Sequence, residues 1–254
     1  MTAAAADGSV VDAAAFTVGP GVNEPSIVQG APATSPLRCA SLLKPLYFWA
    51  AASQPAYRYR LDAWSALAEP AVTISANDST VTIWETCGPD ALLDGITELT
   101  GVHWASDPSA ARSFGRVLIR ADEVARAYAV LAVCARADEQ VAGSLLGWMR
   151  QVPERQTFGA RAAAARRLGV TPTDVAAKTG WFLDEDETAL RTHAVTLTVT
   201  PDGAIRGTAV LTAVAVEETV RTEYATTYVH GEEVLPVHWE HAAETIARTT
   251  ASLL

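Results

Sequence analysis

At 254 residues the chain is long enough for one large core or two smaller lobes. Apolar residues make up 49% and charged residues 19%, the profile of a folded globular protein. A formal charge of -10, with no Lys/Arg stripe, excludes the basic field that nucleic acid needs, and the apolar runs fall short of a bilayer span.

The first residues, Met1 to Phe16, carry Asp7 and Asp12 where an export signal has a basic segment followed by a continuous apolar one. The three cysteines (Cys39, Cys87, Cys134) show no CxxC spacing. Both features lead to the expectation of a cytoplasmic, reducing environment. Residues 1 to 38 are rich in small and turn-forming residues, with short apolar stretches at Ser9 to Val11 and Ser26 to Val28 expected as edge strands.

From Ala40 to Ala52 the sequence is apolar nearly all round, which predicts a helix buried between two lobes. Pro45 is tolerated there if the helix starts near Ser41, because the first turn has no use for the missing amide donor. Residues 57 to 104 read as short helices and loops, with Thr73 to Thr80 a loop. Val124, Tyr128, Leu131 and Ala135 follow at helical spacing within Ile119 to Arg136. Ser144 to Val152 and Gly159 to Leu168 extend the helical block.

Past Pro172 the period becomes two. His193, Val195, Leu197 and Val199 alternate with Ala194, Thr196 and Thr198, Pro201-Asp202-Gly203 turns the chain, and Thr208 to Val216 returns, predicting an antiparallel hairpin. Trp239, Ala243, Ile246 and Thr250 predict a closing helix after Pro236. The order predicts a mixed α/β (α+β) protein, a single unit over 1–254. Its antiparallel sheet is flanked by helices and built from both ends (1–40 and 172–254), with an all-helical lobe (41–171) inserted and a site in the cleft between.

Three short motifs carry candidate chemistry. Ser41 and Lys44 stand three apart at a helix start, where a hydroxyl and an amine share one face and can hydrogen-bond. A lysine is a base only when neutral, and an apolar helix favours that state. Ser75 and Asn77 lie 34 and 36 residues after Ser41, in the sequence Ser75-Ala76-Asn77. They can point a proton relay and an amide into the same cleft. Lys178-Thr179-Gly180-Trp181 precedes the hairpin on an expected edge strand. There a lysine and a threonine can bind an anionic group and the glycine lets substrate lie against the backbone. Each motif alone has an ordinary structural explanation: a snorkelling lysine, an Asx turn, a strand start.

Together, in this order, SLLK, SAN and KTGW resemble the three signature motifs of the serine beta-lactamase and penicillin-binding protein superfamily, over roughly residues 36 to 216. The resemblance implies an antiparallel sheet with an inserted helical lobe and no cofactor. It implies an acylated nucleophile at Ser41, a general base at Lys44 and a proton relay at Ser75. Asn77 would orient Lys44 and the substrate amide, Lys178 and Thr179 would recognise a carboxylate, and Gly180 would line the substrate path. The oxyanion hole would be formed by the amides of Ser41 and Trp181. Two departures stand out: Ala76 replaces the usual aspartate, and the stretch TGVHWASDPSAARSFGRVL lacks the glutamate that class A lactamases use for deacylation. The expectation is a serine hydrolase or acyl transferase acting on an amide or ester, such as a peptide, lactam or small ester, and a poor beta-lactamase. The alternatives are a true lactamase and a catalytically idle binding protein. Gly19 and Gly21 begin a dinucleotide-like pattern, but position 24 is Glu24 instead of glycine and no predicted strand and helix bracket it, which argues against a dinucleotide loop. His238 and His241, flanking Glu240, are expected to be ordinary helix residues, with no metal. A small-molecule substrate is the only expected partner, and oligomeric state is left open.

Overall fold

The computed structural model describes residues 10–104, 113–183, 189–215 and 238–254. One five-stranded antiparallel sheet is built from β1 (Val10–Val18), β2 (Ser26–Ala31), β5 (Ala176–Leu183), β6 (Ala189–Val199) and β7 (Ile205–Ala215), in the order β2-β1-β7-β6-β5. A short second sheet pairs β3 (Leu37–Arg38) with β4 (Leu118–Ile119). Between them run α1 (Lys44–Ser53), α2 (Leu61–Thr73), α3 (Asn77–Cys87), α4 (Pro89–Thr100), α5 (Ala121–Arg136), α6 (Gln140–Arg150) and α7 (Ala160–Leu168). The helix α8 (His238–Leu253) closes the chain. The mixed α/β class, with a sheet drawn from both ends, is the one the periodicity predicts. Among the described residues no helix is long and apolar enough to cross a membrane.

The alternation in β6 sorts two kinds of core. Val195 and Leu197 join Phe16, Leu211 and helix α5 in the main core, whereas Leu190 and Ala194 face Ala160 and Ile246 of α7 and α8. Both faces of the central strands are therefore buried, which explains why the threonine face of β6 is not solvated. Thr196 instead hydrogen-bonds Thr208 across the hairpin at 2.9 Å, and Thr212 donates to the Thr192 carbonyl at 2.6 Å. The small alanine and threonine side chains on that face match the alanine-rich α7, so the helix can pack closely. Ser26 to Val28 opens β2, an edge strand as expected. Ser9 to Val11 was expected at an edge, but Val10 and Val11 open β1, which lies between β2 and β7 because β7 takes up its second side.

Residues 44 to 52 of α1 are buried throughout, Lys44 included, as a helix apolar nearly all round requires. The helix begins at Lys44, not near Ser41. Pro45 occupies its first turn, and Ser41 to Leu43 form the turn ahead of it. The expected loop from Thr73 to Thr80 is likewise shorter. Pro70 inside α2 accepts from both Ile74 and Ala76 amides, which ends α2 and turns the chain so that Asn77 opens α3.

Candidate active site

The site grows from the turn that β3 delivers. The Cys39 and Ala40 amides donate to the Val117 and Gly115 carbonyls, each at 2.9 Å, so residues 39 and 40 prolong the small sheet. Tyr128 of α5 donates its hydroxyl to the Leu42 carbonyl at 2.5 Å, and Tyr47 donates to the Phe114 carbonyl at 2.8 Å. Held on both sides, Ala40 adopts φ +49°, a left-handed conformation that costs an alanine roughly 1–2 kcal/mol and persists only where neighbours impose it. Between Cys39 and Ala52 every residue but Ser41 is buried.

Strand β5 meets this turn backbone to backbone. A Cβ built on Gly180 would lie 2.7 Å from both the Ser41 and Leu42 nitrogens and 3.0 Å from the Cys39 carbonyl oxygen, so only glycine fits. The sequence predicts an edge strand here, and β5 is one, with β6 as its sheet neighbour. Its neighbour Trp181 stacks edge-on against Phe158, with ring centroids 5.6 Å apart.

The two lysines converge on Ser75. Lys44 Nζ donates to the Ser75 carbonyl at 2.5 Å, to Asn77 Oδ1 at 2.8 Å and to the Ala76 carbonyl at 3.3 Å, and lies 3.5 Å from Ser75 Oγ. Lys178 Nζ donates to Ser75 Oγ at 3.0 Å and to the Thr179 carbonyl at 2.9 Å. Ser75 itself has φ +62°, so the second motif sits on a strained corner. Among the described residues no side-chain hydrogen bond joins Lys44 to Ser41, although the Lys44 amide donates to the Ser41 carbonyl at 3.4 Å across the turn that precedes α1. The amine is held by the second motif. Thr179 is fully buried and its hydroxyl donates to the Gln156 carbonyl at 2.6 Å. Ser41, Lys44, Ser75, Asn77, Lys178, Thr179, Gly180 and Trp181 thus come from three separate segments that meet through the Lys44–Ser75–Lys178 contacts and the approach of Gly180 to Ser41.

Both amines are buried, and burial disfavours charge. Lys178 is pushed down to about 7 by desolvation. Lys44 is held well below the ordinary lysine range, first by desolvation and then by the neighbouring Lys178 charge. The Phe114 ring covers the Lys44 amine, its centroid 5.0 Å from Nζ. The Cys39 thiol, two residues ahead of Ser41, is pushed up to about 12 by burial and so stays protonated.

A lysine whose folded pKa is depressed binds fewer protons than the unfolded chain between about pH 7 and 10.5, so its burial costs most at low pH, and that cost fades as pH rises through this window. Lys178→Met is therefore expected to raise Tm, by an amount larger at pH 6 than at pH 9. Scanning calorimetry at the two pH values checks this, and an equal or reversed shift contradicts it.

The sequence reading names the lysines, Ser75 and Gly180 as candidates, but does not single out Phe114 or Tyr128 as neighbours of this place. Phe114 lies inside the stretch noted only for lacking glutamate, and nothing in its neighbours marks it as facing Lys44. Residues 105–112 of that stretch lie outside the described residues, as do the side chains of His238, Glu240 and His241. Among the described residues no group of three His, Cys, Asp or Glu side chains stands close enough to hold a metal.

No protein-family model and no curated protein matches the sequence. Among solved structures the fold is similar to a beta-lactamase from Sphaerobacter thermophilus, at 18% identity and TM-score 0.57, covering 95% of this chain and 90% of the other. It is similar also to the TLA-3 extended-spectrum beta-lactamase, at 14% identity and TM-score 0.56, covering 95% of this chain and 92% of that one. A third is a variant of the reconstructed last common ancestor of Gram-negative class A beta-lactamases, at 15% identity and TM-score 0.56 over 94% and 91%. The chain has the serine beta-lactamase-like fold.

Proposed function

We propose that this protein is a serine hydrolase or acyl transferase that forms an acyl-Ser41 intermediate on an amide or ester substrate. The observation that carries the reading is the meeting of two desolvated lysines at one serine hydroxyl, beside an accessible serine in a strained turn. An amine held below its ordinary pKa can take the proton of Ser41 as the hydroxyl attacks a carbonyl. Ser75 Oγ, within reach of both amines, can pass that proton to the leaving group. Asn77 holds Lys44 in place. The Ser41 and Trp181 amides are the donors for the developing oxyanion, and the closeness of Gly180 to the Ser41 nitrogen supports a pocket of that width. Lys178 supplies positive charge for an anionic substrate group. Thr179 is assigned the same duty, provided its hydroxyl leaves Gln156 when substrate arrives.

Hydrolysis of beta-lactams is expected to be poor. The aromatic ring on Lys44 gives no help in activating a water, and no carboxylate among the described residues hydrogen-bonds either lysine.

Intact-mass spectrometry after exposure to a fluorophosphonate, a penicillin and a short-chain nitrophenyl ester tests the reading. Parent protein is expected to gain one adduct on the peptide containing Ser41, and Ser41→Ala none. A penicilloyl adduct that persists supports slow deacylation, whereas rapid penicillin turnover identifies a genuine lactamase. A folded parent that resists all three probes leaves an idle binding protein.

A further inference from the structure

We infer that His193 is a positioning residue: its imidazole spans from the sheet to the strand that delivers Ser41, and so sets the width of the gap between the nucleophile turn and β5. His193 lies on β6 directly across from Gly180 in the β5–β6 register. It points to the same face as Val195 and Leu197, toward the main core, and is fully buried. Its Nε2 meets the Arg38 carbonyl at 2.8 Å, while Nδ1 accepts from the Thr212 amide at 3.2 Å. An acceptor at Nδ1 fixes the neutral tautomer with the proton on Nε2, so the ring donates to Arg38. Burial pushes its pKa down to about 4, which keeps that tautomer in place across ordinary pH.

Two paths therefore lead from one point on β6 to the same turn. One runs through the backbone of β5 to Gly180, which abuts the Ser41 and Leu42 nitrogens. The other runs through the imidazole to Arg38, three residues before Ser41. The imidazole's length fixes how far the turn stands from β5, and hence the separation of the Ser41 and Trp181 amides. A small displacement there costs a reacting site disproportionately. This role rests on the acyl-Ser41 reading, but the position of the turn can be read without it.

The test compares His193→Gln, whose amide can still donate toward Arg38, with His193→Asn, which keeps an acceptor near Thr212 but is too short to reach Arg38. Two readouts are taken on each folded variant: the rate at which Cys39 in the turn is alkylated, resolved by peptide mapping against Cys87 and Cys134, and the rate of fluorophosphonate reaction at Ser41. His193→Asn is expected to speed Cys39 alkylation about tenfold without changing the other two cysteines, and to slow Ser41 reaction about a hundredfold. His193→Gln should restore both toward parent values. Equal behaviour of the two variants, or rescue by Asn instead of Gln, overturns the proposal. Should the Asn variant not fold, Gln decides alone: parent-like protection of Cys39 supports the proposal and a loosened turn in folded protein overturns it. A parent that reacts with no acylating probe defeats the proposed function, while Cys39 alkylation still decides whether His193 sets the turn.

Discussion

Lys44→Met is expected to slow acylation of Ser41 by about a thousandfold or more while the protein stays folded, since a positioned general base contributes typically 10²–10⁴-fold. Met nearly matches the lysine stem in volume, so α1 keeps its packing. What is lost is one amine and the donors it gives to the Ser75 carbonyl and Asn77 Oδ1. Lys44→Arg should not rescue the rate, because a guanidinium stays protonated and cannot accept the serine proton. The pH dependence carries a sign. Acylation in the parent should rise with pH along a limb set by deprotonation of Lys44, and that limb should lie well below 10.5, because desolvation and the Lys178 charge both disfavour the ammonium. Removing the second cation in Lys178→Gln takes away the Coulombic part, so the limb should move to higher pH. Inactivation rates with a fluorophosphonate from pH 5 to 10, with Tm measured on each variant, check both statements. A Lys44→Met protein that reacts within about tenfold of the parent removes the lysine from the base role.

The limits of the sequence reading follow from what local patterns encode. Period-two alternation in β6 and period-3.6 spacing in α5 reflect which face is buried, so both elements were legible. The start of α1 was not. Residues 40 to 52 are apolar apart from Ser41 and Lys44, and a segment buried nearly all round gives no phase from which to place the first helical residue. The three motifs were legible as chemistry, but their hydrogen bonds were not. Spacing suggested that Lys44 would bond Ser41, whereas the chain reversal after Pro70 brings Ser75 to Asn77 within reach of the amine, a contact between residues 31 to 33 positions apart. The same holds for Tyr128 beneath Leu42 and Phe114 over Lys44, which belong to distant segments and carry no mark of their partners.

Gly180→Val should impair the site almost as severely as loss of the base, by a different route. Even a single Cβ at this position would sit 2.7 Å from two backbone nitrogens and 3.0 Å from a carbonyl oxygen. None of these is the end of a flexible side chain, so the contact can be relieved only by moving β5 or the turn. The turn is tied down by the bonds from the Cys39 and Ala40 amides and by Tyr128, and β5 is tied to β6 along its length from Ala176 to Leu183. Whichever yields, the Ser41 and Trp181 amides no longer face one point. Loss of one oxyanion donor alone costs about 10²–10³-fold, and a branched side chain misplaces both. The expectation is acylation slowed about a thousandfold, with a graded series in which Gly180→Ala falls between parent and Gly180→Val. Because β5 is an edge strand, the sheet can absorb part of the shift, so Tm should drop far less than activity does. Parallel measurement of fluorophosphonate reactivity and thermal unfolding on the series distinguishes the outcomes. Reactivity that tracks Tm across the three proteins would mean that the glycine serves packing only, and a parent-like rate in folded Gly180→Val would mean that the Ser41 nitrogen does not stabilise the reaction.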